Sequence, residues 1–106
     1  MPVKEIKSAE ELEQAKMNGL TLVDFSAPWC APCRLQEPII SRIASQFEGK
    51  AFIAAVNIDE SRDVASILGI RSIPTLILFR NGKEFQRFVG LQSEAELSGA
   101  LKKLLD

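Results

Sequence analysis

Two segments, Leu20–Ala27 (LTLVDFSA) and Ala51–Asp59 (AFIAAVNID), are apolar at nearly every position and do not alternate. A strand with one wet face alternates apolar and polar side chains. A near-continuous apolar run marks a strand covered on both faces. Each segment therefore reads as a central strand, and the cover must come from helices above and below the sheet.

The chain supplies those helices. Ser8–Glu11 (SAEE) reads as a capping box: Ser8 accepts from a backbone N–H and Glu11 reaches back. The helix that follows should stop at Gly19. In CRLQEPIISRIASQF, Leu35, Ile39, Ile43 and Phe47 recur four apart, which predicts a helix with those residues as its apolar stripe. Pro38 lies inside it and should kink it, because proline removes a backbone donor. SRDVASILG reads as a short helix ended by Gly69, and SEAELSGALKKLLD as a last helix with Leu97, Leu101 and Leu104 or Leu105 inward. Lys102 and Lys103 near its end suit the helix dipole. PTLILFRNGKEFQRFVG is a β-hairpin around Asn81–Gly82, the pair favoured in two-residue turns.

The order is β-α-β-α-β-α-β-β-α. Strands joined through helices run parallel, and strands joined by a tight turn run antiparallel. The expectation is a mixed five-stranded sheet with four helices on its two faces, a three-layer α/β/α sandwich. The 106 residues, 46% of them apolar, suit one domain spanning 1–106 with one core.

Thirteen Lys and Arg against 14 Asp and Glu leave a net charge of −1, which gives no electrostatic reason to expect nucleic acid or an anionic membrane as partner. The N-terminal MPVKEIKSAEELEQAK lacks the apolar core of a signal peptide. The longest apolar runs, such as TLILF, are far short of a membrane span. A soluble, cytoplasmic protein is the expectation.

The chain has no histidine. A Cys–His nucleophile pair and any histidine-bearing zinc site are thereby excluded. Its two cysteines, Cys30 and Cys33, cannot complete a four-thiolate site unless two chains share one metal. Cys30 falls where the helix after the first central strand begins, and reads as an exposed attacker. Unpaired N–H groups and the dipole there favour a thiolate, the attacking species. Cys33 lies one turn further on the same side, deeper, within reach to resolve. Pro32 sits at an early helical position, where its missing N–H costs little. As a staple the pair would be weak, since closing so short a loop constrains the unfolded chain by only about 2 kcal/mol. A Cys-x-x-Cys beside a βαβ pattern points instead to redox chemistry. Asp24, flanked by Val23 and Phe25, should be buried, with its pKa raised by desolvation.

VDFSAPWCAPC, then NID at Asn57–Asp59, then GIRSIPTLILFRNG at Gly69–Gly82, then FVG at Phe88–Gly90 resemble the thioredoxin family, in order and over essentially the whole chain. The resemblance implies a thioredoxin-like fold and protein-disulfide reduction within cell redox homeostasis. Cys30 would be the nucleophile and Cys33 the resolving cysteine, cycling through a Cys30–Cys33 disulfide. Asp24 would move a proton to or from Cys33. Pro74 would be a cis-proline facing the pair, leaving the Ile73 carbonyl open to an incoming peptide. Trp29, Ala31, Pro32, Ile58, Ile73, Val89, Gly90 and Leu91 would form the substrate-binding rim. No bound cofactor is implied, beyond the redox-active disulfide itself. The implied partners are disulfide-containing proteins and an NADPH-dependent thioredoxin reductase, with the chain acting as a monomer.

The sequence also departs from the family. Ala31 replaces the usual glycine between the cysteines. Ser26 stands where tryptophan is frequent, Pro28 where an acidic residue is common, and Ala55 where a lysine often accompanies the buried aspartate. Two other uses compete with reduction: an oxidant or isomerase on the same fold, and a binding module whose thiols only gate docking. The Ala-Pro dipeptide favours the reducing type over the oxidant.

Overall fold

A computed structural model describes residues 3–105. Its element order is β1 (Val3–Ile6), α1 (Ala9–Ala15), β2 (Leu20–Ser26), α2 (Ala31–Gln46), β3 (Phe52–Asn57), α3 (Arg62–Leu68), β4 (Thr75–Arg80), β5 (Lys83–Val89) and α4 (Glu94–Leu105). The strands form one sheet in the order β1-β3-β2-β4-β5. β1, β3 and β2 are parallel, while β4 runs antiparallel to both β2 and β5. This is the mixed five-stranded, four-helix sandwich the sequence predicts.

Alternation along β2 sorts the two faces. Leu20 and Leu22 pack with Ile40, Ile43, Phe47, Leu97 and Leu101 on the side of α2 and α4. Val23 and Phe25 pack with Leu12, Val64, Ile77 and Phe79 on the side of α1 and α3. Each such fully buried aliphatic or aromatic side chain contributes about 1.5–3 kcal/mol of transfer free energy.

Local chemistry sets the element ends. Ser8 Oγ accepts from Glu11 N–H at 3.1 Å, closing the first half of the capping box. Glu11 reaches one residue further back than expected, to the N–H of Lys7 at 2.6 Å. α1 ends at Ala15 with Lys16 as its cap, before Gly19, because the Lys16 and Asn18 N–H groups already satisfy its last carbonyls. Asn81 and Gly82 both take positive φ, 52° and 86°, as the two-residue hairpin turn requires. At the C-terminus Leu104 is the inward residue of the alternative pair, and Leu105 is exposed.

α2 differs from the sequence reading in phase. Its buried residues are Cys33, Gln36, Ile40, Ile43 and Ala44, and Leu35 is 62% exposed. A column spaced strictly by four drifts about 40° around a helix at each step, so Leu35 and Phe47 cannot share one face. Spacings alternating three and four, anchored on Cys33, stay on it. The helix continues through Pro38 unbroken from Ala31 to Gln46; Pro38 faces solvent, where water can take the carbonyl its missing N–H leaves free.

Candidate functional site

The topology gathers four segments at one end of the sheet. β2 and β3 finish there, β4 begins there and β5 finishes there, so residues 26–33, 57–59, 72–75 and 89–92 converge. Ligands of open parallel sheets gather at this carboxyl end. Hydrogen bonds tie the segments together. Ile58 N–H donates to Ser26 O at 2.9 Å, and Gly90 N–H donates to Pro74 O at 2.8 Å. Trp29 Nε1–H donates to Asp59 Oδ2 at 2.9 Å.

Cys30 and Cys33 are joined by a disulfide, with their Cα atoms 5.2 Å apart. Cys30 is the N-cap of α2 in extended conformation, and its Sγ accepts the N–H of Cys33 at 3.2 Å. The sulfur therefore occupies the place of a capping oxygen, at the positive end of a 16-residue helix. When the bond opens, that N–H and the dipole are aimed at Cys30 and stabilise its anion. The Ile73 carbonyl oxygen stands 3.7 Å from the same sulfur, and the Ile73–Pro74 bond is cis.

Cys30 is less open than its reading as an exposed attacker implies. It is 6% exposed and Cys33 2%, so the order of access holds while both sulfurs are largely covered. Exposure belongs to the neighbours: Trp29 is 66% exposed, Val89 60% and Leu91 46%. Ala31 and Pro32 are exposed, and Ile58, Ile73 and Gly90 half-buried. Trp29 is held with its ring outward by Asp59, and Arg34 Nη1 donates to Pro28 O at 2.7 Å, bracing the loop before Cys30.

Asp24 is buried on the face of β2 that meets α2, opposite Ala55 of β3 and Leu76 of β4. Its Oδ1 has no hydrogen-bond partner among the described residues. It lines a cleft of about 230 Å³ with Val3, Ser26, Glu37, Ile40, Ser41 and Ala55. A neighbouring cleft of about 180 Å³ shares Ser26, Glu37 and Ala55 and adds Cys33, Arg34 and Glu5. Asp24 lines the first cleft and Cys33 the second, and Ser26, Glu37 and Ala55 border both. Burial pushes the Asp24 carboxyl from 3.8 up to about 7, and the negative charge of Glu37 adds to the rise. A cavity of about 510 Å³ between β5 and α4 lies away from the thiols. Among the described residues no cluster of three or more His, Cys, Asp or Glu side chains is placed to hold a metal.

Comparison with known proteins decides the family. The thioredoxin family profile matches residues 3–103. The chain belongs to the thioredoxin family. It is 50% identical over 84 residues to thioredoxin 1 of Nostoc sp., covering 79% of this chain and 78% of that one. It is 45% identical to the thioredoxin of Synechocystis sp. over the same shares. Among solved structures, a mutant thioredoxin from Halobacterium salinarum superposes with a TM-score of 0.91 at 34% identity, covering 97% of this chain and 90% of that one. Thioredoxin from Plasmodium falciparum gives 0.86 at 27% identity, covering 95% and 98%. Family membership and the Cys30–Cys33 pair make this protein a thiol–disulfide oxidoreductase that reduces protein disulfides.

Four residues that the sequence reading passes over shape this site: Arg34, Gln36, Glu37 and Asp59. Asp59 sits in the quoted NID motif, yet its role follows only from the Trp29 contact. Glu37 and Gln36 carry no signal while the helix phase is anchored on Leu35; a stripe drawn from Cys33 places Gln36 inward.

Proposed function

We propose that Cys30 is the attacking thiolate, Cys33 the resolving thiol and Asp24 the group that exchanges a proton with Cys33. The Cys30 anion attacks one sulfur of a substrate disulfide; the bond from Cys30 to that sulfur forms, and the other substrate sulfur leaves and takes from solvent the equivalent of the proton Cys30 gave up on ionising. Asp24, about half ionised at neutrality, accepts the Cys33 proton. Cys33 then attacks Cys30 Sγ, the mixed disulfide breaks, and the second substrate sulfur departs, taking the proton that Asp24 received. Two electrons and two protons pass to the substrate, and Cys30–Cys33 closes. An NADPH-dependent thioredoxin reductase would return the pair to the dithiol, which makes the chain an electron carrier.

One observation carries the assignment: Cys30 Sγ caps α2 and receives the Cys33 N–H. It distinguishes the two sulfurs, since only Cys30 sits at the helix terminus with a donor aimed at it. Trp29, Ala31, Pro32, Ile58, Ile73, Val89, Gly90 and Leu91 make the rim that receives the substrate chain around Pro74. The reading further takes the chain as one domain over 1–106, monomeric, cytoplasmic, needing no bound cofactor, and without nucleic acid or membrane partners. No helix among the described residues is long and apolar enough to cross a membrane, and the charge balance is near neutral.

Insulin reduction with dithiothreitol, followed by turbidity, tests the assignment. Cys30→Ser should abolish catalysis. A retained rate in that variant would overturn the role of Cys30.

A further inference from the structure

Gln36 is a glutamine with no exposed surface in the interior of a helix. Burying an amide costs free energy unless both of its ends are bonded. Here both ends go to one residue, 56 positions away. Gln36 Oε1 accepts the Gln92 backbone N–H at 2.8 Å, and Gln36 Nε2 donates to the Gln92 carbonyl at 3.0 Å. The pair of bonds closes a ring like one rung of an antiparallel ladder, and only one orientation of the amide satisfies both.

Gln92 ends the segment that carries Val89, Gly90 and Leu91. Its own side-chain Nε2 turns back to the Gly90 carbonyl at 3.2 Å and the Val89 carbonyl at 3.4 Å. On its far side the segment is tied by Gly90 N–H to Pro74 O. Gly90 itself takes φ +92°, so the segment turns sharply between its two ties. Gln36 lies three residues after Cys33 on the same buried face of α2. One rigid helix thus holds the resolving sulfur at its start and, one turn on, the exposed Val89–Leu91 segment.

We propose that Gln36 is a positioning residue for protein substrates, setting the height and orientation of the Val89–Leu91 rim relative to the Cys30–Cys33 pair. This rests on the reading of Val89–Leu91 as substrate contacts. Its effect falls on capture of the substrate chain. The thiol chemistry is built from Cys30, Cys33 and Asp24, and Gln36 bonds to none of them.

The test is steady-state insulin reduction together with reduction of a small aromatic disulfide, comparing wild type, Gln36→Met, Gln92→Ala and Leu91→Ser. Gln36→Met keeps length and volume and deletes both bonds. Its KM for insulin should rise about 5- to 20-fold, the range of losing one or two modest hydrogen bonds. Its kcat and its rate on the small disulfide should stay within about twofold. Gln92→Ala keeps the Gln36 ring and loses only the turn-back bonds, so its KM should rise by less, about 2- to 3-fold; it decides the matter if Gln36→Met does not fold. Equal losses on insulin and the small disulfide would overturn the proposal, as would an unchanged insulin KM in Gln36→Met. Leu91→Ser separates the two levels. If it too leaves KM unchanged, the rim assignment fails; if it raises KM while the Gln36 and Gln92 variants do not, the clamp alone fails.

Discussion

Replacing Asp24 by asparagine should change the stability of the oxidised protein by an amount that grows in the variant's favour as pH rises. The carboxyl is buried against α2, its Oδ1 has no partner among the described residues, and its pKa stands at about 7 against 3.8 for the free group. Below about pH 4 folded and unfolded chains both hold the proton, and the carboxyl carries no ionisation penalty. Between about pH 4 and 7 the folded chain holds a proton that the unfolded chain has released, so unfolding stability falls as pH rises. Above about pH 7 the folded protein buries a charge, and the loss is complete. A gap of about three pH units at about 1.4 kcal/mol each gives about 4 kcal/mol. Asparagine never ionises and escapes this cost. Urea unfolding of oxidised wild type and Asp24→Asn, at intervals from about pH 4 to about pH 8, reads the difference directly. The variant's advantage should grow by about 4 kcal/mol over that range, on top of a constant offset from the amide. A difference that stays flat within about 0.5 kcal/mol would refute the reasoning, because the carboxylate would then be as well solvated folded as unfolded.

Glu37→Gln removes the negative charge that adds to the rise at Asp24. The Asp24 titration, followed by NMR of its side-chain carbon, should move to lower pH, and an unmoved midpoint would show that Glu37 does not act on it. Gly82 holds φ +86°, and a Cβ there would stand 2.6 Å from Met17 Sδ. Gly82→Ala should cost about 1–2 kcal/mol in urea unfolding, mostly from the backbone, since the exposed Met17 side chain can swing away.

Much of this is legible in the residues, for reasons that can be named. Leu20–Ala27 and Ala51–Asp59 announce central strands because only a strand covered on both faces tolerates so little polarity. Asn81–Gly82 announces its turn because both residues must take positive φ. Cys30 at a helix start follows from the strand before it and the proline after it. The misreadings also have physical causes. A four-residue period looks helical, yet it drifts, so it puts Leu35 inward and hides Gln36. Gly19 looks like the end of α1, but the helix is already closed by Lys16 and Asn18. The Gln36–Gln92 ring spans 56 positions and leaves no local pattern at all. The rise of the Asp24 pKa is legible from Val23 and Phe25; the share due to Glu37 is not, because it depends on which face of α2 turns to β2.

Everything in the proposed reaction depends on the two sulfurs being unequal. Mass spectrometry of the two single-cysteine variants, each incubated with an excess of a peptide disulfide, measures that inequality. Cys33→Ser should accumulate a covalent adduct of one peptide chain on Cys30, with Cys30→Ser forming little or none over the same interval. An adduct that builds faster on Cys33 than on Cys30 would contradict the account.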